Sequence, residues 1–499
     1  MKGSSGWAPP LWCLLPFLLL ATINSAGYRY GASDQAFYTP AMLEGIDPSL
    51  YPRDSDLIRS QAKLTLADNA IGPIVRLTGL SLPHLYLVLQ ATALGLLMMA
   101  GLRIGAALYR TAWAPLALVA ALTLRHAISK SGTNTLEGYF HPRQLSFALG
   151  ALAIAGFLRG RYALTISLVA IAGALHPTTG SWLAIWLAIA IFVAEPRLRI
   201  AIGLAAAGAA IGAAWALTNG PLAGRLVVMD ADWLATLASK DYLFPLTWPI
   251  VTWIVNLAYV PIIVLLYRRR RSAGLIAARE GALVAGCVAL VGVFALTLPF
   301  NAARVALAIQ LQPARIFWML DFLAVIYVVW AIAEGTSPAP APARARTAAA
   351  VLVALSIVRG SYIMFVEFPE RRVVQVDVPD DDWGRAMAWA RTTDSRSGWL
   401  ADPSHAVRYG TSVRVAAHRD VFVEAIKDGA VGMYDRAVAM RTRDRVQEVG
   451  DFTALTPSRA RALGAQYDLD YLVTEQDLAL PVAFRSGVVR IYRLKTDSR

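Results

Sequence analysis

The sequence predicts an α-helical polytopic membrane protein with about eleven transmembrane helices, followed by a small C-terminal α/β domain. Three observations carry this. Of 499 residues, 57% are hydrophobic and 16% charged, against about 25% charged in an ordinary soluble protein. Several apolar runs reach the roughly 20 residues that a bilayer crossing needs. After residue 366 the apolar runs give way to charges and short mixed elements. The predicted domains are therefore 1–366, which includes a long first outer loop at 27–83, and 367–499.

The net charge of +13 does not point to nucleic acid. Much of it lies in short arginine clusters between apolar runs, where the positive-inside rule places it. Cys13 and Cys287 both fall inside apolar segments, so no disulfide framework or thiolate metal site is expected.

The first apolar run, about 8–26, ends in the small, polar Asn24-Ser25-Ala26, as a secretory signal would. Pro9, Pro10 and Pro16 make a poor signal core, so a retained anchor is expected. Further spans are expected at 84–108, 112–129, 144–158, 162–176, 180–194, 199–217, 247–267, 280–299, 313–333 and 347–366. A cytoplasmic N-terminus puts Arg103, Arg110, Arg159, Arg161, Arg197, Arg199, Arg268 to Arg271, Arg344 and Arg346 all inside. The loops 27–83, 130–143, 176–180, 218–246 and 300–312 then face out. The Pro-Ala run from Gly335 reads as a stiff cytoplasmic linker.

The first outer loop is too long for a bare link, and a loop of that length is functional or disordered. Its Tyr28, Tyr30, Phe37, Tyr38, Tyr51 and interspersed prolines argue for a folded segment. Asp34 follows the first span on a short tether and is a candidate base. It is equally placed to cap the helix that Gln35 starts. Asp54 and Asp56 form a D-x-D pair that can hold a divalent cation such as Mg or Mn through oxygen ligands. Arg53 and Arg59 offer them ionic partners instead.

Two later outer loops each carry a His-Pro pair, in Thr135-Leu-Glu-Gly-Tyr-Phe-His-Pro-Arg-Gln and in Leu175-His-Pro-Thr-Thr-Gly. Proline in the first helical turn with histidine as a local cap is one account. The other is that Glu137, His141, Arg143 and His176 converge on an outer cavity. An arginine at the outer boundary runs against positive-inside placement, so Arg143 calls for a carboxylate or an anionic ligand. Arg304, Gln312 and Arg315 are further substrate-binding candidates, the arginines suiting phosphate. Snorkelling to lipid headgroups would also explain those two arginines.

Beyond residue 370, a helix is expected over Asp380–Arg391, with strands at Trp399, over Val413–Ala425, at Tyr471 and at Val488–Leu494. Thr456 and Pro457 open another helix.

A first outer loop with an aspartate just after the first span, many further spans and an outer C-terminal α/β domain together resemble the GT-C superfamily of membrane glycosyltransferases. The segments Ser33-Asp-Gln-Ala-Phe-Tyr-Thr-Pro, Phe140-His-Pro-Arg-Gln and His176-Pro-Thr-Thr-Gly look like those of poorly characterised bacterial members. The resemblance implies transfer of a sugar from a polyprenyl-phosphate donor to a glycan, lipid or protein acceptor, at the outer face of the cytoplasmic membrane. The family's first-loop acidic residue, which acts as base or orients the acceptor, maps onto Asp34. The usual adjacent acidic pair is absent, since Gln35 follows. Two other classes fit a polytopic chain: a transporter, for which Arg125-His126 inside the third expected span speaks, and a non-catalytic envelope-assembly subunit.

The topology has a direct test. A thiol introduced near Ser404 should react with an impermeant label added outside, and one near Ser272 should not. The reverse labelling pattern would invert the assignment.

Overall fold

The computed structural model describes residues 11–62, 65–337 and 339–495. The start of the expected first span, residues 8–10, lies outside them, as does Pro338 of the expected linker. The chain forms two compact units. One comprises Met1–Tyr28, Val88–Val228 and Asp241–Val374. The other comprises Arg29–Leu87, Met229–Lys240 and Gln375–Arg499. Most of the segment 27–83 therefore folds with the C-terminal segment, and not with the apolar helices to which the 1–366 division assigned it.

In chain order the helices begin with α1 (Leu14–Asn24), α2 (Gln35–Ile46), α3 (Ser55–Ala62), α4 (Ala67–Thr78), α5 (Leu82–Leu108) and α6 (Trp113–Leu122). A hairpin of β1 (Ala127–Ile128) and β2 (Thr133–Asn134) follows. Then come α7 (Pro142–Leu158), α8 (Tyr162–Leu175), α9 (Pro177–Ala194) and α10 (Arg199–Thr218). After these lie α11 (Ala231–Thr236), α12 (Ile250–Ser272), α13 (Glu280–Ala302), α14 (Ala306–Gln310), α15 (Ile316–Ala333) and α16 (Pro342–Tyr362).

Every expected span meets a helix. Among the described residues seven helical segments are long and apolar enough to cross a membrane: Leu82–Leu108, Pro177–Ala194, Pro196–Thr218, Ile250–Ser272, Glu280–Ala302, Ala306–Ala333 and Pro342–Glu367. The shorter apolar helices, α1, α6, α7 and α8, have 10–17 residues. In the helical unit α15 is the enclosed element, with Phe317, Trp318, Leu320, Phe322, Tyr327 and Trp330 all buried. An all-round apolar helix of this kind belongs inside a bundle. Close approach of α9 to α8 requires Gly180, where an added Cβ would come within 2.3 Å of the Gly173 backbone.

The third expected span ends early. α6 stops at Leu122, and the Thr123 hydroxyl turns back to the Ala120 carbonyl at 2.6 Å. Arg125 and His126 thus lie beyond the helix and not within it. Arg125 donates to the Leu136 carbonyl at 2.9 Å, and the His126 Nε2 sits 2.9 Å from an Asp321 oxygen. Two polar side chains that would be costly in mid-bilayer are satisfied in the excursion that carries the hairpin.

The second unit adds α17 (Asp382–Ala390), β3 (Gly398–Leu400), α18 (His405–Arg408), α19 (Val413–Ala417) and β4 (Asp420–Val421). It continues with α20 (Ala425–Val431), α21 (Arg436–Val449), α22 (Pro457–Tyr467), β5 (Tyr471–Thr474), β6 (Val482–Ser486) and β7 (Val489–Arg493). The sheet order is β4-β3-β5-β7-β6. β3 runs parallel to β4 and β5, and β7 antiparallel to β5 and β6. Alternation along the strands splits the core into two faces. Trp399, Val473 and Ile491 pack with Trp383 and Met387 of α17. Leu400, Leu472 and Tyr492 pack with Ala460 and Leu463 of α22.

The expected helix at 380–391 and the Thr456 cap are both present: Asp381 accepts from Gly384 N–H at 2.7 Å and Thr456 from Arg459 N–H at 3.2 Å. The expected strand over Val413–Ala425 is a correction. Ser412 caps a short helix there by accepting from Val415 N–H at 3.2 Å, and only Asp420–Val421 is extended into the sheet. A capped turn outcompetes a short β-like run when the turn's donors are satisfied locally.

Asp68, in the first turn of α4, is buried and neither of its oxygens has a hydrogen-bond partner. Burial raises its pKa from 3.8 to about 7. As pH rises through this window, the unfolded chain loses the proton before the folded one does, so stability falls between about pH 4 and 7. Asp68→Asn should therefore raise the melting temperature at pH 8 and leave it nearly unchanged at pH 4. Equal effects at both pH values would show that the carboxylate is not the strained group.

Candidate functional site

In the helical unit three helices begin at one cluster of polar side chains. His141 has an extended backbone and caps α7, its Nδ1 accepting from Arg143 N–H at 3.1 Å. His176 does the same for α9, accepting from Thr179 N–H at 3.2 Å. Pro142 and Pro177 fill the first helical positions, where no N–H is needed. Arg315 stands at the start of α15. The two imidazole rings lie 5.9 Å apart, and the charges of Arg315 and Arg143 both act on His176.

Arg143 has the carboxylate its position called for. Its Nη2 lies 2.5 Å from a Glu137 oxygen, and both side chains are buried. The Glu137 backbone is held in turn, its N–H donating to Gln144 at 3.2 Å and its carbonyl accepting from Gln90 at 2.9 Å. Glu137, His141, Arg143, His176 and Arg315 are thus gathered together. Gln312, buried in a left-handed conformation (φ 48°), offers its carbonyl to Arg315 N–H at 3.0 Å and so shapes the turn into α15. Arg304 is engaged elsewhere, its guanidinium lying 5.1 Å from the centre of the Phe244 ring.

This arrangement suits an anion. Unpaired N–H groups and aligned peptide dipoles make a helix N-terminus electropositive. Here the guanidinium groups of Arg143 and Arg315 stand beside these helix starts, Arg143 being paired with Glu137. A histidine whose Nδ1 accepts a hydrogen bond carries its neutral-state proton on Nε2. Each capping imidazole, when neutral, therefore carries its N–H on Nε2.

Asp34 belongs to the second unit. It occupies the cap position of α2, yet its side chain makes no capping hydrogen bond. The carboxylate instead takes the Lys427 ammonium at 2.9 Å and remains about a fifth exposed. Gln35 turns back locally in its place, accepting from Gly31 N–H at 2.5 Å. Around this pair stand two residues that sequence reasoning missed. Glu424, fully buried, caps α20 by accepting from Lys427 N–H at 3.0 Å. Burial and then the Asp428 charge raise its pKa to about 8. Lys240 donates to the Ile426 carbonyl at 3.0 Å and feels the charges of Lys427, Asp34 and Glu424. Nothing in the sequence could have found these partners, since Asp34 and Lys427 are 393 positions apart.

The cation reading of Asp54 and Asp56 is corrected. Asp54 is buried and its oxygens are filled by Arg414 at 2.7 Å, by Arg441 and by Val421 N–H at 3.2 Å. The local arginines serve other groups, Arg53 going to Asp468 and Arg59 to Glu44. Asp56 sits exposed in the first turn of α3. Among the described residues no three His, Cys, Asp or Glu side chains form a metal-holding group.

Removing one partner of a buried ion pair strands the other charge, at a cost of about 3–5 kcal/mol. Glu137→Gln should therefore lower thermal stability sharply, and adding Arg143→Gln should restore much of the loss. A double variant as unstable as the sum of the two single ones would show that the residues do not act as a pair.

No protein-family model matches this chain, and no curated protein is significantly similar to it.

Proposed function

We propose that this chain is a membrane glycosyltransferase of the GT-C type, moving a sugar from a polyprenyl-phosphate-linked donor to a glycan, lipid or protein acceptor. The observation that carries this reading is the gathering of Arg143, Arg315, His141 and His176 at the starts of three helices, where an anion is favoured. A phosphate leaving group needs its growing charge neutralised, and preorganised donors do this best away from bulk water. In this reading the leaving phosphate is met by Arg315, by Arg143 and by the Nε2–H donors of the capping histidines. The family resemblance assigns the base for the acceptor hydroxyl to the first-loop aspartate, whose counterpart is Asp34 in the second unit. The absence of a capping bond from Asp34 supports a role other than helix capping. Lys427 fixes the orientation of that carboxylate.

The proposed placement is the bacterial cytoplasmic membrane, with eleven crossings, a cytoplasmic N-terminus and the C-terminal segment outside. The arginine alternation supports it, and so does the coincidence of each expected span with a helix.

Asp34→Asn and Arg315→Ala test the reading separately. Asp34→Asn gives up one partly exposed ion pair, worth roughly 1 kcal/mol of stability. As a lost general base it should slow sugar transfer from a polyprenyl-phosphate donor by roughly 10²–10⁴. Arg315→Ala should weaken donor binding. Parental transfer rates in Asp34→Asn would remove the catalytic assignment. Unchanged donor binding in Arg315→Ala would remove the phosphate role. No transfer by the parent across a donor panel would favour a non-catalytic assembly subunit.

A further inference from the structure

α7 carries arginines at both ends. Arg143 opens it among the capping histidines, and Arg159 stands just past its last residue. With 17 residues the helix is about 25 Å long, close to the roughly 30 Å of a bilayer's hydrocarbon core. The far end holds a second cationic cluster with a different composition. Arg159 and Arg161 flank Gly160, whose left-handed φ of 71° lets α7 turn directly into α8. Both arginines are exposed.

Arg159 Nη2 reaches the Arg103 carbonyl on α5 at 3.4 Å. The Nε of Arg103 is buried with no hydrogen-bond partner. Arg279 crowds the same turn, since a Cβ on Gly160 would come within 2.7 Å of its Nη2. Burial, and then the charges of Arg103 and Arg161, lower the pKa of Arg159. The nearby carboxylate, Glu195, already accepts from Arg197 at 2.9 Å and from Tyr162 at 3.4 Å. Arg279 itself donates to the Tyr162 hydroxyl at 2.9 Å. Among the described residues no carboxylate pairs with Arg103, Arg159 or Arg161.

Cations are favoured at helix C-termini, and that accounts for one arginine at the end of α7. It does not account for three guanidinium groups that repel one another, one of them with a buried, unpartnered donor. An anion with several oxygens would relieve both. We propose that the α7–α8 turn binds the phosphate of an anionic lipid headgroup, with Arg103, Arg159 and Arg161 as its ligands. The lipid source follows from α8, which leaves Leu164, Ile166 and Ile171 exposed beyond the turn. A free phosphate has no use for that apolar surface, whereas an acyl chain does. This site is separate from the cluster at His176 and does not depend on sugar transfer.

The test uses the full chain in nanodiscs of phosphatidylcholine containing a minor fraction of phosphatidylglycerol. Lipid retained after detergent extraction is quantified by mass spectrometry for the parent, for Arg159→Gln/Arg161→Gln and for Arg161→Gln alone. A fourth variant, Arg268→Gln/Arg269→Gln, removes two equally exposed charges at the end of α12. Charge-assisted contacts of this kind predict about a tenfold loss of retained phosphatidylglycerol in the turn double variant. The single variant should lose a smaller part, and the α12 variant should match the parent. Millimolar inorganic phosphate should not displace the lipid. The proposal is overturned by undiminished retention in both turn variants. It is overturned equally by the same loss in the α12 variant, which would mean a diffuse field, or by full displacement with inorganic phosphate, which would mean a soluble ligand.

Discussion

The second unit depends on one buried cation. Arg414 is fully enclosed and lies between two carboxylates, 2.7 Å from Asp54 and 2.6 Å from Asp428. Asp54 comes from the first outer loop and Arg414 from the C-terminal segment, 360 positions later. Burial works against the Asp54 charge, but Arg414 and Arg441 outweigh it and hold the carboxyl down at about 2. A buried ion pair adds little net stability over a well-packed apolar substitute, yet breaking it is costly. Its use here is registry. Asp420 receives the N–H groups of Arg53 and Asp54, and Tyr51 donates to the Arg414 carbonyl at 2.7 Å. A loop fixed at so many points presents Asp34 to Lys427 in one arrangement.

The same constraint orders the helical unit, where water is scarcer still. Arg270 is buried against Glu280 at 2.7 Å, and Tyr327 donates to that carboxylate at 3.1 Å. The Trp330 ring covers the guanidinium at 4.8 Å. Glu334 receives the backbone N–H groups of Arg110 and Thr111 at 2.8 and 2.7 Å. Arg270 and Glu280 fill one another's hydrogen bonds, whereas Glu334 uses one oxygen for both N–H groups and keeps its other buried without a hydrogen-bond partner. The cluster around His176 differs in kind, because two histidine-capped helix starts meet there beside the Arg143–Glu137 pair.

Local signals proved legible in the sequence. The apolar windows found their helices because a run that cannot be hydrated must close its own backbone hydrogen bonds. His-Pro at 141 and 176 and Thr-Pro at 456 marked helix starts because cap and proline act within four residues. Where the outcome rested on distant partners, the sequence was silent. Asp54 looked like half of a cation site until Arg414 came to it from across the chain. Asp34 looked like a cap, and its carboxylate was taken by Lys427 instead. The window at 112–129 was apolar enough on average, but the average hid Arg125 and His126. Their partners, the Leu136 carbonyl and Asp321, lie outside the window and draw the chain out of the helix.

The structural reading of the His-Pro pairs, a cap at a helix start, holds at both places and does not compete with the proposed ligand binding. An imidazole has two nitrogens, and capping uses one of them. With Nδ1 accepting from the helix N–H, the neutral ring has its proton on Nε2 and can donate there. Both residues have an extended backbone (φ −135° for His141, −149° for His176), and the cap bond holds the ring against the helix start. An arginine in the same position would bring charge but could not accept from the helix. A serine would cap and still have its O–H to donate, but from a much shorter side chain than the Nε2 of an imidazole. In the proposed reading, histidine before proline at a helix start serves both ends, because the interaction that begins the helix also orients the ring.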